Sequence, residues 1–84
     1  MLRFELVDST GTKFRDEVEA CFVETPEGQI GILPNHQDLV ALTVDCDLKI
    51  IKNGREKVFK VERGILKCFG NKLLIAVEEV LSDG

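Results

Sequence analysis

The sequence predicts an all-β domain, a sandwich or barrel of short strands, on three observations. Apolar and polar residues alternate with a period of two over most of the chain, as in strands with one face buried. Turn-forming residues separate these runs at intervals of about eight to twelve residues. No long helical pattern intervenes, and the one helix candidate is a short turn over residues 35–41.

Each element follows in order. Leu2, Phe4 and Leu6 alternate with Arg3 and Glu5, and Asp8-Ser9-Thr10-Gly11 is a polar turn after this strand. Val18, Ala20 and Phe22 alternate with Glu17, Glu19 and Cys21. Thr25-Pro26-Glu27-Gly28 places Pro and Gly where a tight β-turn wants them. Leu48 and Ile50 alternate with Asp47 and Lys49, and Ile51 follows. Asn53-Gly54 then precedes Val58-Phe59, and these two residues tolerate the positive φ angles of a type I′ hairpin. Phe59 and Val61 alternate with Lys60 and Glu62. Gly70-Asn71 is a second hairpin signal, between residues 65–69 and the closing run of Leu73, Ile75 and Val77.

Size and composition narrow the function. A chain of 84 residues is one domain, 1–84, with too little interior for both a core and a deep active site. Its 44% hydrophobic and 31% charged residues are those of an ordinary globular domain rather than a disordered one. The apolar runs are only a few residues long, as in Leu39-Val40-Ala41-Leu42, so no direct membrane insertion is expected. The start of the chain, charged at every second residue, is not a signal peptide. A net charge of −4 with scattered Lys and Arg argues against nucleic acid as a partner. Cys21, Cys46 and Cys68 form no C-x-x-C and have no histidine at ligand spacing, so free thiols in a reducing compartment are expected.

The candidate chemical groups read mostly as structural. His36 is the only histidine and lies in a polar loop. Asp38 is near it, but no Ser or Cys neighbours it to act as nucleophile. Asp45 and Asp47 fall on one side of an extended segment, yet two carboxylates are too few for calcium. Gly28 and Gly31 lack the helix and the Gly-Lys-Ser/Thr of a phosphate loop and are expected to serve backbone geometry. Lys52, beside the Asn53-Gly54 turn, resembles the tip lysine of lipoyl and biotinyl carrier domains, but Ile51-Lys52-Asn53 lacks their flanking residues. The small aliphatics Val40, Ala41, Leu42 and Val44 are core by default, with some excess free to face a permanent partner.

One stretch is more specific. Val23-Glu24-Thr25-Pro26-Glu27-Gly28-Gln29-Ile30-Gly31-Ile32-Leu33-Pro34-Asn35-His36 resembles the signature of the epsilon subunit of F-type ATP synthase, called delta in mitochondria. The match holds at Glu27, Gly28, Ile30, Gly31, Ile32, Pro34, His36 and Leu39. Downstream, Leu48-Lys49-Ile50-Ile51, Arg63-Gly64-Ile65-Leu66 and Gly70-Asn71-Lys72-Leu73-Leu74-Ile75 follow the family's order, so the likeness covers residues 4–80. The sequence departs from the pattern at Asn35, usually Gly, at Gln37-Asp38, usually Ala-Pro, and at Arg63, the first of a Gly-Gly pair. It also ends where most members continue into a two-helix hairpin, as in the family's short forms.

The resemblance implies a two-sheet sandwich of about ten short strands and a non-catalytic role at the foot of the central stalk. It implies two partners, the gamma subunit and the membrane rotor ring of c subunits. It places Glu27, Gly28 and Gln29 at the ring contact, and His36 and Ala41 on the gamma side. It implies no cofactor, and a peripheral location on the cytoplasmic side of a bacterial membrane. A chain without the helical hairpin is expected to couple rotation without restraining ATP hydrolysis or binding ATP.

Overall fold

The alternating runs become ten strands in the computed structural model, which describes residues 1–83. They are β1 (Leu2–Asp8), β2 (Gly11–Val18), β3 (Ala20–Thr25), β4 (Gly28–Ile32), β5 (Leu39–Thr43), β6 (Cys46–Lys52), β7 (Arg55–Val61), β8 (Gly64–Phe69), β9 (Lys72–Val77) and β10 (Val80–Asp83). No helix occurs among the described residues. The strands form two five-stranded sheets, one ordered β2-β1-β9-β8-β5 and the other β10-β7-β6-β3-β4. Every pairing is antiparallel except β1 with β9, which lie parallel from Arg3 beside Lys72 to Val7 beside Ala76. The two-sheet sandwich is thus present, and the barrel alternative is not.

The core is the set of inward positions of both sheets. Leu2, Phe4 and Leu6 of β1, Leu66 and Cys68 of β8, and Leu73 and Ile75 of β9 are buried in the first sheet. Cys21, Val23, Ile32, Leu48, Ile50, Phe59 and Val61 answer them from the second. Each large aliphatic or aromatic side chain fully removed from water contributes about 1.5–3 kcal/mol. Phe14 on β2 bridges the sheets at one edge, with ring centroids 6.0 Å from Phe4 and 5.2 Å from Phe59. The Lys57 ammonium lies 5.3 Å from the Phe59 centroid and 5.9 Å from that of Phe14, a cation–π contact over the bridge.

Two expectations are corrected. The run Val18-Ala20-Phe22 reads as one strand but belongs to two. Val18 ends β2 in the first sheet, and Ala20 begins β3 in the second. The phase of burial slips at this crossing: Ala20 and Cys21 are both buried, Val23 and Thr25 follow inward, and Phe22 turns to the outer side. The helical turn over 35–41 does not form. Asn35 adopts φ +65°, which interrupts any right-handed helix, and residues 39–43 pair with β8 as strand β5.

The connections sort to two ends. The links after β1, β3, β5, β7 and β9 gather at one end and fasten to each other. Val44 N donates to Glu24 O at 3.1 Å, Glu62 N to Glu79 O at 2.9 Å and Glu78 N to Arg63 O at 3.0 Å. The links after β2, β4, β6 and β8 gather at the other end, where Gly54 N donates to Glu19 Oε1 at 2.9 Å and Gly70 N to Asp38 Oδ1 at 3.1 Å.

Candidate functional site

The Thr25–Gly28 turn is built by its own side chain. Thr25 is buried, its hydroxyl donates to Gly28 O at 2.8 Å, and Glu27 N donates back to that hydroxyl at 3.2 Å. Gly28 sits at φ +124°, a conformation that residues with a Cβ rarely adopt. The result presents Glu27, Gly28 and Gln29 to solvent on a hydrogen-bonded base. Gly31 serves differently: its φ is ordinary, but a Cβ there would come within 2.9 Å of the Phe22 ring.

This turn shares its end of the sandwich with a concentration of carboxylates. Glu24, near the end of β3, and Glu27, Asp45, Glu62, Glu78 and Glu79, on the neighbouring connections, make up this group. Against them stand Arg63 and, beside Asp8, Lys13. Arg63 Nε donates to Glu78 Oε2 at 3.1 Å, and its main-chain N donates to Asp45 Oδ1 at 2.8 Å. Three connections are fastened by that one residue. An open groove of about 740 Å³ runs from Pro26 past Arg63 to Leu42 and Ile65.

His36 lies at the opposite end. Its Nδ1 is 2.7 Å from Gln37 O, and a carbonyl can only accept, so Nδ1 carries the proton. Its main-chain N donates to Leu33 O at 3.2 Å. The loop is held against the β8–β9 hairpin, since Asn35 N donates to Asn71 Oδ1 at 2.7 Å and Asn71 Nδ2 donates to Asn35 Oδ1 at 3.3 Å. The left-handed Asn35 explains why the family pattern has Gly here, and Asn is the residue that best substitutes in that region.

Ala41 sits midway along β5 and is half-buried, facing inward with Leu39 and Thr43. Its neighbours Val40 and Leu42 face outward, 54% and 65% exposed, so the aliphatic cluster is not core at those two positions. The register extends them into an apolar outer surface on the first sheet. Leu42, Ile65, Ala76 and Val7 stand side by side, and Val40 and Leu74 flank Lys67 in the next row. Charge and helix signals in the sequence did not point to this surface; the odd-even count along β5 would have. The expected contact residues therefore fall into two groups, Glu27-Gly28-Gln29 at the acidic end and His36 with Ala41 along the far end and edge.

No catalytic constellation accompanies these residues. Burial pushes the Cys21 thiol up to about 12, and burial also raises Cys46 and Cys68, so none is poised as a thiolate nucleophile. No group of His, Cys, Asp and Glu among the described residues could hold a metal ion. The Lys52 ammonium forms an ion pair with Asp16 across the two sheets, which ties down the arm a carrier domain would leave free.

Comparison with known proteins agrees with this architecture. The profile of the family described as "ATP synthase, Delta/Epsilon chain, beta-sandwich domain" matches residues 1–83. The ATP synthase epsilon chain of a Sulfurihydrogenibium species is 38% identical over 81 residues, covering 95% of this chain and 60% of the relative. That of Persephonella marina is 36% identical over 80 residues, covering 94% and 59%. A chain in a solved Euglena gracilis mitochondrial ATP synthase structure (OSCP/F1/c-ring) superposes with a TM-score of 0.90 at 18% identity, covering 95% of this chain and 52% of its own length. The protein thus spans about three fifths of the length of these epsilon-chain relatives. On the profile match over residues 1–83 and the shared sandwich, the chain belongs to the β-sandwich domain family of ATP synthase delta/epsilon chains.

Proposed function

We propose that this chain is a non-catalytic central-stalk element of an F-type ATP synthase, binding the gamma subunit and the membrane rotor ring so that ion translocation is coupled to ATP synthesis. The observation that carries the reading is the Glu27-Gly28-Gln29 turn. It is exposed, anchored through Thr25, and set among acidic connections bonded to each other. A contact that transmits torque needs such a base, because a loose loop absorbs displacement while a close-packed sandwich passes it on. Gamma docks on the other group, His36 and the β5 edge with Ala41, where apolar side chains already face outward. The domain acts peripherally, on the cytoplasmic side of a bacterial membrane. No helix among the described residues is long and apolar enough to cross one.

The test is charge reversal at Glu27 combined with a bulky change at Gln29. Both side chains are exposed, and surface substitutions away from special features shift stability by about 0.5 kcal/mol or less. The double variant Glu27→Lys/Gln29→Trp is expected to melt normally and to lower ATP-driven ion pumping several-fold in vesicles holding the assembled enzyme. Normal pumping with an unchanged melt removes this turn from the ring contact. A collapsed melt shows that the turn serves folding instead.

A further inference from the structure

The four edge strands of the two sheets are not equally protected. Edges invite pairing with other strands unless charge, proline, bulges or brevity prevent it. β2 carries Lys13, Arg15, Asp16 and Glu17. β4 carries Gly28 and Gly31 and lies between Pro26 and Pro34. β10 is four residues long, with a register irregularity between Val80 and Ser82. β5, by contrast, reads Leu39-Val40-Ala41-Leu42-Thr43, with no charge, glycine, proline or bulge. Beyond its ladder to β8, the nearest main-chain hydrogen bond is Val44 N to Glu24 O, outside the strand. Its outward-facing main-chain groups have no protein partner among the described residues.

We propose that β5 is a self-pairing edge, and that two copies of this chain join antiparallel across Leu39–Thr43. The pairing turns two five-stranded sheets into one continuous sheet. A twofold axis at Ala41 sets Val40 opposite Leu42 of the second copy and Leu39 opposite Thr43, so outward faces outward and inward faces inward. The flanking acids avoid each other: Asp38 meets Val44 of the second copy, and Asp45 meets Gln37. No like charges oppose one another, which favours a second copy over an unrelated strand of arbitrary charge. The outer row of Leu42, Ile65 and Ala76 continues across the junction into Val40 of the second copy. Five residues of edge bury less than the roughly 1,200 Å² of a stable interface, so the dissociation constant is on the order of 0.1–1 mM. Self-pairing covers the edge that holds Ala41. On the proposed function, a paired copy is therefore barred from gamma until the pair dissociates.

Sedimentation and NMR relaxation of the chain test this between about 20 µM and about 1 mM, a range over which the paired fraction climbs for such a constant. The expected result is a roughly 1.5-fold rise in averaged rotational correlation time over this range, with slowed amide exchange confined to β5. Leu42→Lys and, separately, Val40→Lys are expected to abolish the rise while leaving the melting temperature unchanged, since both positions are exposed. A monomer at every concentration overturns the proposal. So does association that persists in both lysine variants while each stays folded.

Discussion

At the scale of the residue, Asp8 shows how one carboxylate joins distant parts of the chain. Its side chain is only 3% exposed. Oδ1 accepts from the Thr10 hydroxyl at 2.6 Å and from Thr10 N at 2.8 Å, and Oδ2 accepts from Val80 N at 3.2 Å. The Thr10 hydroxyl is the main influence holding its carboxyl below the ordinary aspartate value of 3.8, and it outweighs the opposing effect of burial. A pKa lowered by folding means stability that is present at neutral pH and lost as pH falls through the lowered value. Glu5, held by Arg15 and Thr12, and Asp16, held by Lys52, add to the acid response in the same direction. Asp8→Asn is expected to lower the melting temperature by several degrees near pH 7. The gap from the parent should narrow well below pH 3.8, where the parent's own carboxylate is protonated. Calorimetry at both pH values reads this directly, and a gap that does not narrow would remove Asp8 from the acid response. None of this was legible in the sequence beyond a polar turn, because the second oxygen is engaged by a strand that arrives 72 residues later.

At the scale of the element, strands were legible where several apolar residues alternate beside local turn chemistry, as at β1, β6, β7 and β9, whereas β2, β4 and β10 carry too few alternating apolar residues to be read. Asn53 and Gly54 take φ +53° and +74°, as the type I′ reading requires. The Val18-Ala20-Phe22 run misled because a crossing between sheets preserves apolar spacing while changing which face is inward. β5 was hidden because an edge strand with exposed aliphatics lacks the polar alternation that marks a strand. The parallel pairing of β1 and β9 is set by tertiary packing alone and leaves no local trace. The expected Glu27-Gly28-Gln29 group was legible through its motif, whereas its acidic setting depends on connections far apart in sequence. Family resemblance also marked the entry to β8, and the structure separates its two positions. A Cβ on Gly64 would lie 2.0 Å from Ala76 O and 2.7 Å from Val77 Cα, both main-chain atoms that cannot step aside. Arg63 points to solvent and makes an exposed pair with Glu78. Gly64→Ala is therefore expected to cost about 3 kcal/mol in denaturant unfolding. Arg63→Gly, which restores the family residue, should leave the unfolding midpoint nearly unchanged, since an exposed ion pair contributes little. Similar losses at both positions would mean that the close approach to β9 is not what holds the glycine.

At the scale of the whole molecule, two kinds of surface differ in character and adjoin along the groove from Pro26 past Arg63 to Leu42 and Ile65. Carboxylates crowd the end that carries the Glu27 turn, while Val40, Leu42, Ile65 and Leu74 form an apolar patch on the outer side of the first sheet, interrupted by Lys67 and bordered by Glu5. The sandwich is braced across its two sheets by the Phe14–Phe59 contact and the Lys52–Asp16 pair, and such close packing resists deformation. The two surfaces should answer salt differently. Raising ionic strength from about 0.1 M to about 1 M shortens the Debye length from about 10 Å to about 3 Å, which weakens contacts between exposed charges and leaves apolar burial intact. On the proposed function, the contact with gamma is the apolar one. A pull-down with the cognate gamma subunit is expected to recover a one-to-one complex at both salt levels. Binding at the acidic end should fade over the same range, because charge steers that contact more than it seals it. The decisive comparison runs the gamma pull-down beside a thermal melt of the domain. A gamma complex that dissolves as salt rises, while the domain stays folded, would place gamma on the acidic end and overturn this division of surfaces.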